Sequence, residues 1–126
     1  MQTLVISGGS SGIGKATASL FAERGWCVFE LSRHGVSVTG EGLPVTGKII
    51  HIFCDVCSEE STRAAIAEVL KQTDHIDVVI SNAGYGISGS VEFTNIPDAE
   101  HQMDVNFMGA VRFTQAVLPQ LRKQHG

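Results

Sequence analysis

Apolar and polar positions along the chain alternate between two patterns, short continuous apolar runs and longer helical periodicities. The runs predict four strands, at Thr3–Ser7, Trp26–Leu31, Lys48–Cys54 and Ile76–Ser81. Continuous runs such as Leu4-Val5-Ile6, without an alternating polar face, are typical of strands that are buried on both sides.

Three segments between and after these runs have helical spacing. They are Ser11–Arg24, a helix that opens at Ser58, and a long helix from Pro97-Asp98 to about Gln124. In the first, we expect one apolar side made by Ile13, Ala16, Leu20 and Phe21. The segment His34–Gly47 has no periodicity and is predicted to be a loop.

This order of elements predicts the fold class. Strands that alternate with helices form a parallel sheet with helices on both faces, and right-handed crossovers then give a doubly wound sheet. We therefore predict an incomplete Rossmann-type α/β fold with about four strands and three helices. We expect it to form a single domain over residues 1–126.

The last predicted helix carries apolar residues around much of its surface. A helix of this kind needs packing partners on two sides, and the sheet supplies only one. A crossover helix should also lead into another parallel strand, but the sequence ends at His125-Gly126. We therefore expect either a fold cut before its fifth strand or one completed by another chain, with a homo-oligomer formed through the helix Asp98–Gln124.

Composition and charge exclude several classes of partner. The net charge is −4 with no cluster of Lys or Arg, which argues against nucleic acid. No apolar run approaches the ~20 residues of a membrane span, and we expect the first residues, which have no basic stretch, to form a strand rather than a signal peptide. The odd, low count of three cysteines fits a reducing compartment, so we expect a cytoplasmic protein.

Cysteine and histidine positions offer little evidence for a metal site. Cys54 and Cys57 form a C-x-x-C, which is either a redox pair, half of a zinc site, or a chance pairing at a strand end. No second C-x-x-C or H-x₃-H completes a metal site, so we favour chance and predict no metal. The five histidines lack ligand or triad spacing, and we expect incidental roles for all of them.

A glycine-rich loop joins the first strand to the first helix and carries the main chemical signal. Gly8 permits a tight turn, Gly12 permits close approach of a pyrophosphate, and Gly14 permits close packing of helix and sheet. Backbone N–H groups at the helix start, near Ile13, attract phosphate, and the hydroxyls of Ser10 and Ser11 can donate hydrogen bonds. No Gly-Lys-Ser/Thr follows, which excludes a Walker loop.

Four ordered motifs together resemble the short-chain dehydrogenase/reductase family. Ser7–Gly14 is similar to its T-G-x₃-G-I-G loop, with Ser7 in place of Thr, and Asp55-Val56 is similar to the pair that contacts adenine. Asn82-Ala83-Gly84 resembles the N-A-G after the fourth strand. Asn106, in Val105-Asn106-Phe107-Met108-Gly109, resembles the catalytic Asn that helps to hold a water for proton relay.

Each of these residues also has a simpler interpretation. Asp55 can accept a hydrogen bond from the adenine amino group or can cap the following helix. Asn82 can hold neighbouring backbones or contact ribose. Asn106 is a poor helix former in mid-helix, and we expect Val105, Phe107 and Met108 to crowd it rather than leave it on a solvated face.

The end of the second strand indicates which nicotinamide cofactor binds. An NAD site places an acidic residue there for the ribose 2′-OH, but this chain has Ser32 followed by Arg33. Arg33 can pair with a 2′-phosphate, so we expect NADP(H) rather than NAD(H). Glu30 is close in sequence, and we expect it to point elsewhere.

The resemblance implies an oxidoreductase that transfers a hydride between nicotinamide and a carbonyl or alcohol. The family's catalytic Ser and Y-x-x-x-K are missing, because the single Tyr85 is followed four residues later by Gly89. Of the catalytic positions only Asn106 is present, so we expect the 126-residue chain alone to be inactive. The alternative is a non-catalytic dinucleotide-binding or interaction module.

Overall fold

A computed structural model describes residues 1–126 and contains one sheet of four parallel strands. The strands are β1 (Thr3–Ser7), β2 (Cys27–Ser32), β3 (Lys48–Phe53) and β4 (Val78–Ser81). They lie in the order β3-β2-β1-β4. The strand order therefore reverses at β1, and the crevice between β1 and β4 is a topological switch point. The prediction of a Rossmann-type parallel sheet is confirmed.

Helices cover both faces of this sheet. They are α1 (Gly12–Glu23), α2 (Glu59–Gln72), α3 (Ile96–Met103) and α4 (Gly109–Lys123). The predicted third helix is a continuous helical segment in which a π turn, Asp104–Met108, joins α3 to α4. A short 3₁₀ turn at Val91–Phe93 precedes it.

Two apolar layers hold the helices to the sheet. The larger lies between the sheet and α2 and α4, where Phe29 and Phe113 are both 1% exposed. The smaller lies under α1 and includes Leu4, Ile6 and Val28. Successive residues of a strand point to opposite faces, so the continuous apolar runs supply both layers.

The apolar side expected for α1 is wrong except at Phe21, which is half-buried and packs against the smaller apolar layer. The buried face consists of Gly14, Ala18 and Ala22, whereas Ile13 is 82% exposed and Leu20 is 46% exposed. A methyl group on Gly14 would collide with the Gly8 carbonyl and the Asn82 side chain. The helix lies so close to the sheet that small residues, spaced four apart, form its contact face.

The C-terminal end of α4 explains why β4 begins at Val78 rather than Ile76. The Gln124 side chain accepts from the Ile76 N–H at 3.1 Å and donates to the Ile76 carbonyl at 2.7 Å. The Ile76 backbone is therefore engaged by α4. The Asp77 carboxylate accepts from the Thr3 N–H at 2.7 Å, which ties this segment to the start of β1.

The helical segment after residue 96 has two apolar sides, as its sequence predicts. Phe113 and Val117 are buried against the sheet, whereas Phe107 is 58% exposed and Leu118 is 44% exposed. A groove of 400 Å³ runs along the exposed side and includes Ile96 and Met103. Of the helices described here, none combines the length and apolar character that a membrane crossing requires.

Candidate functional site

The loops after β1 and β4 are joined at the carboxyl edge of the sheet. The Ser7 hydroxyl accepts hydrogen bonds from the N–H groups of Asn82 and Ala83, both at 3.0 Å. The Asn82 side-chain amide donates to the Gly8 carbonyl at 2.9 Å. Asn82 therefore holds neighbouring backbone, one of its two expected roles. The importance of Ser7 was missed, although its position in the glycine motif was a signal.

Close packing explains Gly8 in this arrangement. A Cβ at Gly8 would lie 2.7 Å from the Ala83 Cα. The glycine-rich loop, Ser7–Gly14, and the Asn82-Ala83-Gly84 segment therefore touch through their main chains. The floor of the crevice at the switch point is made of backbone.

Gly12 shares a left-handed backbone conformation with Gly8, whose φ is +69°, but unlike Gly8 it has open space around it. Its φ is +56°, a left-handed conformation that side chains disfavour, and a Cβ there would meet no atom within 4 Å. Ser11 is exposed before it, and Ile13 is exposed after it. The middle of the loop is therefore open, as a site for a closely approaching ligand would be.

The two helices that begin near this edge have different N-termini. Ser11 is the N-cap of α1 but makes no side-chain cap hydrogen bond, and the first turn of α1 has no acidic residue. At α2, by contrast, Ser58 accepts from the Ser61 N–H, and Glu59 and Glu60 follow. The positive end of α1 is thus left for an outside anion, whereas that of α2 is satisfied within the chain.

A cavity of 510 Å³ opens between the glycine-rich loop and the end of β2. Ser10, Lys15, Arg33 and His34 line it together with Glu30 and His51. Four of these side chains are basic, so the cavity is suited to an anionic group. The Oγ of Ser32 nearby is buried without a hydrogen-bond partner.

Glu30 does not point away from this region, which corrects the expectation above. Residues two apart on a strand share a face, so Glu30 is on the same face of β2 as Ser32, and it lines the same cavity as Arg33. Its carboxylate is 2% exposed and bonds His51 Nδ1 at 2.7 Å. His51 therefore has a structural role, and the expectation of an incidental one is wrong.

Asp55 lies two residues after β3 and shapes the loop before α2. Its Oδ1 accepts from the Cys57 N–H at 2.9 Å, and its own N–H donates to the Ser61 hydroxyl at 3.0 Å. The N-cap of α2 is Ser58, so Asp55 does not cap that helix. Val56 is buried, and its side chain packs against Gly109 of α4.

Asn106 lies in the π turn and holds the loop after β4. Its Oδ1 accepts from the Tyr85 N–H at 2.9 Å, and its Nδ2 donates to the Tyr85 carbonyl at 2.6 Å. A Cβ at Gly84 would lie 2.9 Å from the same Oδ1. The expectation that Val105, Phe107 and Met108 crowd Asn106 is wrong: Asn106 itself is exposed, as are Phe107 and Met108, and only Val105 is half-buried. Backbone hydrogen bonds, and not burial, fix this amide.

Cys57 lies near two other potential ligands, His101 and Asp104, with their donor atoms within 4.8 Å of one another. Burial, followed by a hydrogen bond that the thiol donates to the Asp104 carboxylate, raises the pKa of the Cys57 thiol to about 11, so it stays protonated at neutral pH. Asp104 is paired with Arg112 at 2.7 Å, which lowers the pKa of its carboxyl. Cys54 is buried, and neither cysteine of the C-x-x-C is in a disulfide.

Comparison with known proteins agrees with this geometry. The family model described as short chain dehydrogenase matches residues 2–126. A 3-ketodihydrosphingosine reductase of Bacteroides thetaiotaomicron is 37% identical over 122 residues, which are 97% of this chain and 43% of that protein. The chain spans less than half the length of the curated relatives that it matches.

Solved structures share the fold. An alcohol dehydrogenase from Thermococcus sibiricus, complexed with 5-hydroxy-NADP, superposes with a TM-score of 0.84 at 26% identity over 100% of this chain and 55% of that one. A 3-oxoacyl-[acyl-carrier protein] reductase from Brucella melitensis, in complex with NAD, has a TM-score of 0.81 at 26% identity over 96% of this chain and 49% of that one.

Proposed function

The chain belongs to the short-chain dehydrogenase family, and on that premise we propose that it is the cofactor-binding half of an NADP-dependent oxidoreductase. The parent enzyme transfers a hydride between nicotinamide and a carbonyl or alcohol. The observation that carries this proposal is the uncapped N-terminus of α1, which faces an open glycine loop beside a switch point. These features suit the phosphates of a dinucleotide.

The residues present fit such a cofactor. Gly12 leaves open space where a side chain would stand, and Ser10, Ser11 and Ile13 surround it. The unpartnered Oγ of Ser32 is a free hydrogen-bonding group at the expected position of the ribose. One oxygen of Asp55 holds the Cys57 N–H, and we assign the rest of its carboxylate, with Val56, to adenine.

NADP(H) is favoured over NAD(H) by the charges around the cavity. Arg33 and Lys15 line it, and no acidic residue replaces Ser32. The one carboxylate among the lining residues, Glu30, is engaged by His51. Relatives complexed with a derivative of NADP and with NAD both share this fold, so the preference rests on Arg33 and Lys15 of this chain.

The nicotinamide supplies or accepts the hydride when bound, while the chain binds and orients it. Gly8, Ala83 and Gly84 form a backbone surface on which a flat ring can lie. We assign Asn106 as the catalytic Asn, since both amide atoms fix the loop that follows Gly84. No Ser with a Y-x-x-x-K is present in residues 1–126, so this chain alone should not turn over substrate.

Two further assignments follow from the surface of the chain. We assign the exposed apolar side of the helix Asp98–Gln124 to an interface with a second copy, because Phe107 and Leu118 leave it uncovered. We place the protein in the cytoplasm, because all three cysteines are free thiols.

The first experiment is to read the coding sequence beyond Gly126. Continuation into a strand with a Ser and then Y-x-x-x-K supports the enzyme. A stop codon directly after Gly126 contradicts it and favours the non-catalytic binding module.

The second experiment titrates NADPH and NADH by fluorescence with the full-length product. NADPH should bind more tightly, and Arg33→Ala should weaken NADPH selectively by about 10- to 100-fold, the value of a charged hydrogen bond. Arg122→Ala, an exposed Arg at the end of α4, is the matched control. Tighter binding of NADH would refute the proposed preference.

A further inference from the structure

Glu30 is the one acidic or basic side chain among the buried residues. It stands opposite His51 in the β2–β3 register, and its Oε2 bonds His51 Nδ1 at 2.7 Å. Its other oxygen, Oε1, is buried without any partner. Burying a carboxylate with incomplete hydrogen bonding costs free energy, and an apolar residue would pack here at lower cost. The pair therefore calls for an explanation other than stability.

The contacts of this pair reach two different loops. A Cβ at Gly9, in the glycine-rich loop, would lie 2.7 Å from Glu30 Cγ. A Cβ at Gly35, in the loop after β2, would lie 2.5 Å from Glu30 Oε2 and 2.6 Å from His51 Nδ1. The main chain at Gly9 thus packs against Glu30, and the main chain at Gly35 packs against both Glu30 and His51.

The loop after β2 is also tied down just beyond Gly35. The His51 N–H donates to the Ser37 hydroxyl at 2.9 Å. Val38 and Ile49 exchange two backbone hydrogen bonds, both of 2.8 Å. Arg33 lies in the short span between the end of β2 and this anchored segment, so its position depends on both.

We propose that the Glu30–His51 pair is a brace that sets the distance between the glycine-rich loop and the loop that carries Arg33. The pair are positioning residues, since they act through Gly9 and Gly35. This inference rests on the proposed cofactor site, because the two loops are the walls of the cavity lined by Ser10, Lys15 and Arg33.

The test compares Glu30→Ala, His51→Ala and the double variant in the full-length product. Each single variant should weaken NADPH by about tenfold through misplacement of Arg33, with kcat at saturating NADPH changed less than KM. Because the two residues act as one unit, the double variant should be no worse than the weaker-binding single variant. Glu41→Ala and His125→Ala, both exposed, are the matched controls. Additive losses, or unchanged affinity in folded single variants, would overturn the brace.

Amide hydrogen exchange without cofactor separates this inference from the proposed function. Residues 35–38 should exchange faster in Glu30→Ala and His51→Ala than in the wild type, while the protection of β1 is kept. If the wild type binds no dinucleotide, the proposed function fails, and exchange still reports whether the pair braces the loop. Unchanged exchange at residues 35–38 would overturn the brace even where NADPH binds.

Gly35→Ala tests the same contact without removing either side chain. The new methyl group would collide with the pair and should also weaken NADPH about tenfold. Gly86→Ala is the matched control, because a Cβ at Gly86 meets nothing within 4 Å. Equal NADPH affinity in the two variants would contradict the proposal.

Discussion

The amide of Asn106 closes both hydrogen bonds of the Tyr85 backbone, at 2.9 Å to the N–H and 2.6 Å to the carbonyl. A side-chain amide carries one acceptor and one donor group on the same carbon. It can therefore bond both the N–H and the carbonyl of one residue, as a neighbouring strand would. Asn106 lies in the π turn, where its amide contacts the loop after β4.

Replacing Asn106 should therefore loosen that loop. Asn106→Ala loses two hydrogen bonds and should lower the free energy of unfolding by about 1–3 kcal/mol, measured by urea denaturation. Asn106→Asp keeps the acceptor only and should fall in between. Gln115→Ala, on an exposed face of α4, is the control. A fully stable Asn106→Ala would mean that the loop is held by other contacts.

The two glycines Gly12 and Gly14 should respond differently to alanine. Gly12→Ala meets no neighbour but must adopt φ near +56°, which costs about 1–2 kcal/mol, so the protein should still fold. Binding of NADPH should nevertheless be lost, because the methyl group fills the open centre of the loop. Gly14→Ala should mainly destabilise the fold, since its methyl group meets Gly8 and Asn82. Thermal melting and NADPH titration of both variants distinguish these effects.

Substitutions on the two apolar sides of the last helical segment should have different effects, one on folding and the other on self-association. Phe113→Ala removes a side chain that is 1% exposed and should cost about 3–5 kcal/mol of unfolding free energy. Phe107→Ser, at a position that is 58% exposed, should leave folding intact and weaken self-association, seen by sedimentation. Unchanged sedimentation of Phe107→Ser would contradict the proposed interface.

Acidification should weaken the Asp104–Arg112 pair. Arg112 holds the pKa of the Asp104 carboxyl below its usual value, so the stability it contributes is present at neutral pH and is lost as the pH falls through that lowered pKa. The gap in unfolding free energy between the wild type and Asp104→Asn should close towards pH 2. In an Arg112→Gln background, the same substitution should show a smaller gap with less dependence on pH. A gap that is constant across this range would refute the linkage.

Much of the fold could be predicted from the sequence because the strands are continuous apolar runs. The face of α1 could not, because large exposed residues such as Ile13 and Leu20 outweigh Ala18 and Ala22 in any hydrophobic pattern. Helix–sheet distance, which depends on the packing of Gly14 against Gly8, decides that face instead.

The candidate site was predicted only where a local motif carries it. The glycine loop, Ser32-Arg33, Asp55 and Asn82 were each named from sequence. Glu30 and His51 were not paired, because the register between β2 and β3 depends on the length of the intervening loop. A signal did exist, since each is a polar residue inside an otherwise apolar run.

Because of the π turn, the chain should tolerate insertions and deletions much less at residues 104–108 than in its exposed loops. Each helical residue turns the chain by about 100°, so deleting one residue within Asp104–Met108 would rotate all of α4 relative to α3. If Asn106 kept its contact with the loop after β4, Phe113 and Val117 would leave the core. If they stayed in the core, Asn106 would lose that contact. In the loop around Gly40 and Gly42, a Cβ would meet no neighbour, and an added residue there would disturb little. Insertions and deletions should therefore accumulate near residue 41 and be excluded from residues 104–108.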